Sequence, residues 1–290
     1  MKRLNILVAL ILISLISCKN IESKSGYIEI NETKIYYEIA GTGEPLVLIH
    51  GWILDSRCWD YQFDEFSHHY RVLRYDLRGF GRSSLPDTNK SYSHTTDLVS
   101  LLDTLQIDKA HILGHSFGGT IAIDFVLNNP QRVHSLILAD AAMNLQGYKV
   151  TDEAVKSWLT DTWKTSQEKG IEEAKKTWLN GSPFKQALKN KRAAILLTKM
   201  VNEYSGWHWK NNDPDISPKP YPQERLNDIK VPTLILVGEL NTQIYHEITD
   251  IQRKNIPNST KKIIPNSGHM LNIENPDKFN DYVLNFLSEN

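Results

Sequence analysis

A serine in this chain has neighbours that favour nucleophilic catalysis. Ser116 lies in the sequence GHSFG at residues 114–118, after a short apolar run and before a helix-forming run. A serine on such a strand-to-helix turn projects from the end of its strand, and the flanking glycines let strand and helix approach closely. The first N–H groups of the helix point toward negative charge that develops there. The segment therefore predicts a nucleophilic Ser116.

The elements that would position this serine are short strands separated by helix-length segments. Apolar or partly apolar runs predict strands at residues 27–30, 34–39, 46–49, 71–75, 110–113, 135–139, 233–237 and 261–264. Asn31-Glu32 is the predicted turn between the first two. Alternating strands and helices imply an α/β fold, with a mostly parallel sheet covered by helices on both faces.

Residues 146–225 interrupt this alternation with a segment that has no convincing strand. Helices are predicted at 153–166, 172–179 and 185–200, followed by a loop rich in proline, asparagine and aspartate at 211–222. We interpret the segment as a helical lid between two halves of the core, residues 26–145 and 226–290. Trp52, Trp59 and the aromatic segment 204–209 predict an apolar pocket for a small or medium acyl group.

Five motifs resemble those of the α/β-hydrolase superfamily, in order and in spacing. They are HGW at 50–52, DLRGFGRS at 76–83, GHSFGG at 114–119, PTLILVG at 232–238 and SGH at 267–269. The resemblance covers nearly all of the chain after its first residues. It implies the α/β-hydrolase fold with an eight-stranded sheet, with Ser116 as nucleophile and His269 as general base. It also implies that the backbone N–H groups of Trp52 and Phe117 bind the oxyanion.

The acid position of the family pattern is where this chain departs from its relatives. Relatives usually read Gly-Glu-x-Asp there, whereas this chain has Asn241 in place of the aspartate. An amide cannot stabilise the imidazolium by charge, and it can hold the wrong histidine tautomer. The acid could be Glu239, the triad could be degraded, or the acid could be Asp140, 24 residues after Ser116.

We favour relocation of the triad acid to Asp140, at the end of the sixth strand. The chain order of nucleophile, acid and histidine is then kept, because Asp140 precedes His269. This arrangement resembles certain haloalkane dehalogenases and lipases. The strand that ends at Asp140 would lie between the nucleophile strand and the strand that leads to Asn241.

These features together predict hydrolysis of a small-molecule carboxylic ester through an acyl-serine intermediate. Ser116 argues against halide or epoxide chemistry, which uses an aspartate nucleophile in relatives. The alternatives are a C–C bond hydrolase, a perhydrolase or an amidase on the same scaffold, and a non-catalytic binding protein with a degraded triad. We predict no metal and no cofactor, because no metal-ligand spacing or complete dinucleotide loop occurs. A net charge of −1 gives no basic surface for nucleic acid.

The first residues have the pattern of a secretory signal. Lys2 and Arg3 precede an apolar run, and the sequence LISC at 15–18 resembles a bacterial lipobox. We predict a lipoprotein signal peptide at 1–17, lipid attachment at Cys18 and a polar tether at 18–25. Lys19, in place of the aspartate typical of inner-membrane retention, favours the outer membrane of the bacterial cell envelope. A membrane is therefore the predicted partner of the chain.

Overall fold

The computed structural model describes residues 23–143, 153–216 and 221–290 of the chain. The predicted signal peptide, Cys18 and residues 18–22 of the predicted tether lie outside the described residues. Residues 146–152 and 217–220 of the predicted lid also lie outside them.

Within the described residues, eight strands form one sheet. They are β1 (Ser23–Ile30), β2 (Thr33–Ala40), β3 (Pro45–Ile49), β4 (Arg71–Tyr75), β5 (Ala110–His115), β6 (Val133–Ala139), β7 (Thr233–Gly238) and β8 (Ser259–Ile264). The sheet order is β1-β2-β4-β3-β5-β6-β7-β8. The β1–β2 and β2–β4 pairs are antiparallel, and every other pair is parallel. All eight predicted strands are present, and β6 lies between β5 and β7 as predicted.

Helices cover both faces of this sheet and follow most of its strands. They are α1 (Asp60–Ser67), α2 (His94–Thr104), α3 (Phe117–Asn128), α4 (Glu153–Glu168), α5 (Ile171–Leu179), α6 (Lys185–Lys189), α7 (Lys191–Glu203), α8 (Trp207–Lys210), α9 (Gln243–Asn255), α10 (Leu271–Glu274) and α11 (Pro276–Ser288). The α/β-hydrolase fold predicted from the sequence is confirmed. None of the helices in the described ranges combines the length and the apolar composition that crossing a bilayer requires.

The central strands are buried, so a ligand can reach them only at the loops beyond their ends. Every residue of β5 and of β7 is buried, so these strands are covered on both faces and read as continuous apolar runs. Loops that leave the carboxyl ends of parallel strands meet along one edge of the sheet, where α/β folds bind ligands. The loops after β3, β5, β6, β7 and β8 therefore converge.

Two predictions of local structure need correction. Residues 23–25 of the predicted tether belong to β1, because the hairpin pairing extends as far as Ser23 opposite Ala40. The single helix predicted at 185–200 is two helices, α6 and α7. The break lies at Asn190, whose backbone is extended and whose side chain caps α7 by accepting hydrogen bonds from two of its first N–H groups.

Candidate active site

Ser116 occupies a strained turn between β5 and α3. Its φ of 51° and ψ of −116° lie in a region that non-glycine residues seldom adopt. The Ser116 N–H donates to the Ala139 carbonyl at 3.0 Å, and the Ser116 carbonyl accepts from the Gly119 and Ala142 N–H groups, each at 2.9 Å. The backbone around the serine is thus tied to the end of β6 as well as to its own helix, and this holds the side chain at the strand tips.

Close approach of two backbone segments explains why residue 118 of the turn is a glycine. A Cβ placed on Gly118 would lie 2.6 Å from the His50 carbonyl oxygen and still closer to that of Ile49. The start of α3 therefore packs directly on the end of β3. This contact brings the loop after β3 against Ser116.

His269 faces the serine across this edge of the sheet. Its Nε2 lies 3.0 Å from Ser116 Oγ, within the range of a hydrogen bond between base and nucleophile. The ring is almost completely buried and packs on the Tyr245 and His115 rings, with centroids 4.2 and 4.9 Å away. Burial, with a smaller contribution from His115, holds the pKa of His269 well below its usual value. The imidazole is therefore neutral near pH 7 and able to accept a proton.

The loop that carries His269 is held on both sides by buried polar groups. The Glu274 carboxylate accepts hydrogen bonds from the Gly268 N–H at 2.7 Å and the Met270 N–H at 3.0 Å. The His269 carbonyl accepts from His115 Nε2 at 2.8 Å. The Glu274 and His115 hydrogen bonds thus hold the backbone of the loop that carries His269, and the His115 ring also packs on the His269 ring. Sequence reasoning missed Glu274, since a glutamate in a four-residue helix carries no recognisable pattern.

The predicted oxyanion donors line the same pocket as Ser116. Within the described chain, neither the Trp52 N–H nor the Phe117 N–H donates a hydrogen bond to another group. The loop of Trp52 is held by His50, which donates from Nδ1 to the Gly51 carbonyl at 2.7 Å and accepts from the Leu77 N–H at 2.9 Å. Two backbone N–H groups beside the Ser116 hydroxyl can donate hydrogen bonds to an oxyanion and stabilise its charge.

Asn241 occupies the position beside the second nitrogen of the His269 ring. Asn241 Nδ2 lies 3.3 Å from His269 Nδ1. The Asn241 Oδ1 atom accepts a hydrogen bond from the Thr242 N–H at 2.8 Å, and this contact turns the NH₂ group toward the ring. The group at Nδ1 is therefore a donor amide and not a carboxylate.

Asp140 is buried nearby but makes no hydrogen bond with His269 in the described structure. One of its oxygens accepts from the Gly238 N–H at 3.3 Å, and the other has no partner among the described residues. The predicted direct contact with the ring is thus not formed, because the carboxyl is directed at β7 and Asn241 takes the place beside Nδ1. Burial raises the pKa of Asp140 well above its usual value, and the Asn241 side chain and the Gly238 N–H offset only part of this rise.

The other acid considered from the sequence, Glu239, points away from the ring. Its side chain is exposed, and its carboxylate accepts a hydrogen bond from the Asn266 N–H at 2.8 Å. Glu239 therefore supports the loop after β8 and does not contact His269 in the described structure.

Ser116 and His269 lie on a cavity of about 250 Å³ with an aromatic lining. Its described lining residues are Gly51, Trp52, Leu54, His115, Ser116, Phe117, Ala142, Val155, Trp158, Leu159, Trp178, Phe184, Tyr245 and His269. None of these carries a carboxylate, an ammonium or a guanidinium group.

The helical segment between β6 and β7, which the sequence predicts as a lid, contributes other aromatic residues to this cavity than the sequence predicted. Trp158 and Trp178, with ring centroids 4.1 Å apart, line the cavity from α4 and α5. Tyr204 and Trp209 of the segment 204–209 are buried inside the lid and are absent from the lining. Trp59 is fully buried behind His115. Trp52 alone among the predicted pocket aromatics lines the described cavity.

Comparison with known proteins agrees with this fold and this arrangement of loops. A sequence profile of the alpha/beta hydrolase family matches residues 46–282. The chain belongs to the alpha/beta hydrolase family. It is 26% identical to the carboxylesterase YbfK of Bacillus subtilis (strain 168), over 92% of this chain and 88% of the relative. It is also 26% identical to a putative 2-succinyl-6-hydroxy-2,4-cyclohexadiene-1-carboxylate synthase of the same organism, over 88% of this chain and 95% of the relative.

A solved structure supports the fold further. A thermophilic esterase from Thermogutta terrifontis superposes with a TM-score of 0.77, covering 92% of this chain and 98% of that one. At 23% identity this likeness concerns the fold. This alpha/beta hydrolase therefore combines the family's scaffold with an amide at Nδ1 of its histidine.

Proposed function

We propose that this hydrolase cleaves small, uncharged carboxylic esters through an acyl intermediate on Ser116. The observation that carries the proposal is the 3.0 Å distance between Ser116 Oγ and His269 Nε2 on an apolar cavity. The carboxylesterase among its relatives supports the same reaction class. The two free amides beside the serine support acyl transfer, since they lie where an oxyanion forms.

The reaction follows from the positions of these groups. Ser116 Oγ attacks the ester carbonyl carbon while His269 Nε2, in the ring tautomer that carries its proton on Nδ1, takes the hydroxyl proton, and the N–H groups of Trp52 and Phe117 bind the oxyanion. The intermediate collapses with transfer of that proton to the departing alcohol, leaving an acyl-serine. Water then attacks the acyl carbon with His269 again as base, and this restores Ser116 and releases the carboxylic acid.

We propose Asp140 as the triad acid, although its carboxyl does not contact the His269 ring in the described structure. Its carboxyl lies close enough to the Asn241 side chain for that amide to lower its pKa, and Asn241 in turn lies at His269 Nδ1. The imidazolium that forms during attack favours the ionised form of Asp140, because opposite charges in a buried setting stabilise each other. Asp140 therefore supports the imidazolium by its charge and not by a hydrogen bond to the ring.

The lining of the cavity supports neutral acyl groups over charged ones. No described lining residue is cationic, so a carboxylate on the acyl chain would find no cationic partner among the described residues of the cavity. The synthase relative is named for a compound that carries a carboxylate, and the described cavity offers no cation for such a group. Burying an unpaired charge costs several kcal/mol, which separates the two substrate classes by a factor of about 100 or more.

A matched set of aryl esters tests this function. We expect p-nitrophenyl butyrate to be hydrolysed with a kcat/KM at least about 100-fold above that of p-nitrophenyl hemisuccinate, whose acyl group ends in a carboxylate. The methyl ester of the hemisuccinate, which is neutral, is expected to recover most of this loss. Equal rates for the charged and neutral acyl groups would contradict the substrate class.

Amide and binding alternatives are separated by the same assay. p-Nitroanilides of the same acyl groups report amidase activity, and faster turnover of the anilide than of the ester would replace the esterase proposal. Absence of turnover for every ester and anilide, together with saturable binding of butyrate esters, would support a binding protein.

We also propose that the chain is anchored to the bacterial cell envelope through a lipid on Cys18. The support is the LISC sequence at 15–18 and the short polar segment before β1. Cys18→Ala is expected to move the protein from the membrane fraction to the soluble fraction after signal removal, because the acyl chains supply the membrane affinity. A processed Cys18→Ala protein that sediments with membranes as the wild type does would argue against the anchor.

A further inference from the structure

The hydrogen bonds of Asn241 determine which nitrogen of His269 can carry the proton of the neutral ring. The Thr242 N–H donates to Asn241 Oδ1 at 2.8 Å, so Oδ1 is occupied and the NH₂ group faces Nδ1 at 3.3 Å. An amide NH₂ can only donate. The ring nitrogen opposite it must therefore be the acceptor, without a proton of its own.

The neutral ring then carries its proton on Nε2, the nitrogen that faces Ser116 Oγ at 3.0 Å. In that tautomer the ring donates to the serine oxygen and has no lone pair with which to take the hydroxyl proton. Rotation of the Asn241 amide by about 180° would place its NH₂ group against the Thr242 N–H. Two donors would then meet, and one hydrogen bond would be lost. The reversed orientation is therefore the minor one.

We propose that Asn241 is a positioning residue that keeps the proton of neutral His269 on Nε2, and that it thereby holds the hydrolase in a slow resting state. A carboxylate at the same position would accept from both the Thr242 N–H and a proton on Nδ1. The proposal rests on the ester hydrolysis proposed above, but the tautomer can be measured without any substrate.

Nitrogen NMR of the imidazole tests the tautomer directly. In the full chain labelled with ¹⁵N-histidine, with the His269 signals assigned from a His269→Gln sample, we expect the attached proton on Nε2. In Asn241→Asp we expect it on Nδ1. A wild-type ring that carries its proton on Nδ1 would overturn the proposal.

Turnover of p-nitrophenyl butyrate gives the kinetic test. Asn241→Asp is expected to raise kcat by at least 100-fold with little change in KM, because a comparable aspartate-to-asparagine change in a serine protease costs about 10⁴. Asn241→Ala, which removes the donor without adding charge, is expected to change kcat by less than about tenfold. The exposed Asn89 supplies the control, since Asn89→Asp makes the same chemical change at a residue whose described hydrogen bonds go to Asp87 and not to the ring.

The pH profile distinguishes a new charge at the ring from a change in stability. The titratable groups around the ring are His115, Tyr245 and Glu274, with Asp140 beside Asn241. A carboxylate at position 241 favours the imidazolium and raises the pKa of His269, so the acid limb of kcat/KM moves to higher pH. A change in protein stability alone would leave the pH of the acid limb of kcat/KM unchanged.

Variants of Asp140 test whether its carboxyl supports turnover. Asp140→Asn is expected to lower turnover in the wild type, and adding Asn241→Asp is expected to restore it above the wild-type level. A folded Asn241→Asp variant with unchanged kcat and an unchanged pH limb would overturn the role of Asn241. If no variant hydrolyses any ester but the ring proton moves as expected, the positioning role stands and the esterase proposal fails.

Discussion

Ser116→Ala is expected to lower ester turnover about 100-fold in the wild-type chain and about 10⁶-fold in the Asn241→Asp background. The two values differ because members of a triad act as a unit. In a serine protease, loss of the acid alone costs about 3 × 10⁴ of a total of about 2 × 10⁶, which leaves about two orders of magnitude for the serine to lose. With Asn241 in the positioning role proposed above, the wild type is expected to start near that partly disabled level. Turnover of p-nitrophenyl butyrate by the wild type, by each single variant and by the double variant measures the loss in each background.

Folding of the Ser116→Ala protein serves as the control for this prediction. The side chain lies on the cavity and makes no described hydrogen bond other than the one to His269, so thermal unfolding should change little. Equal losses in the two backgrounds would show that Asn241 does not limit the wild type. Activity in Ser116→Ala equal to that of the wild type would remove the acyl-serine mechanism.

Gly118→Ala is expected to lower the free energy of unfolding by more than about 3 kcal/mol, and Gly118→Val by more still. The added Cβ would meet backbone carbonyls of Ile49 and His50, which belong to β3 and its loop and cannot move aside as a side chain would. A loss of this size is a large share of the roughly 5–15 kcal/mol that stabilises a typical domain. Thermal unfolding followed by circular dichroism should show a Tm lower by about 10 °C or more.

Gly26→Ala is the matched control for this change. The nearest atom to a Cβ at Gly26 is Tyr37 Cε1 at 3.8 Å, an ordinary contact, and the residue lies in the edge strand β1. We expect its Tm to stay within about 2 °C of the wild type. A Gly118→Ala protein as stable as Gly26→Ala would contradict the close packing of α3 on β3.

The fold and the proximity of Ser116 to His269 could be predicted because they depend on local patterns. Strands such as β5 and β7 are continuous apolar runs with turns at their ends, and these runs are visible in the sequence. Ser116 and His269 stand in motifs whose glycines and order have direct physical reasons. The structure brings their side chains within 3.0 Å of each other.

The surroundings of the histidine could not be predicted in the same way. The bonds from Glu274 and His115 to the backbone around His269 depend on where a short helix and a strand end meet in space. Periodicity contains no information about such contacts. Asp140 lies at the tip of β6 as predicted, but the direction of its carboxyl toward Gly238 depends on its side-chain torsions, which the sequence pattern does not determine.

The aromatic lining of the cavity could not be predicted from the sequence either. Trp158, Trp178 and the segment 204–209 are similarly aromatic in sequence, and all belong to the lid helices or their connections. Which of them line the cavity depends on how α4, α5 and α8 pack against one another. Composition predicted an apolar cavity but could not choose its lining.

Mass spectrometry of the acylated protein tests the central claim most directly. The wild-type chain is mixed with p-nitrophenyl butyrate, quenched in acid and digested, and its peptides are searched for a butyryl group. The account predicts butyryl on Ser116 in the folded protein, and none on that peptide in urea-unfolded protein or in Ser116→Ala. Ester turnover with no acyl group on Ser116, or with the acyl group on another residue, would contradict it.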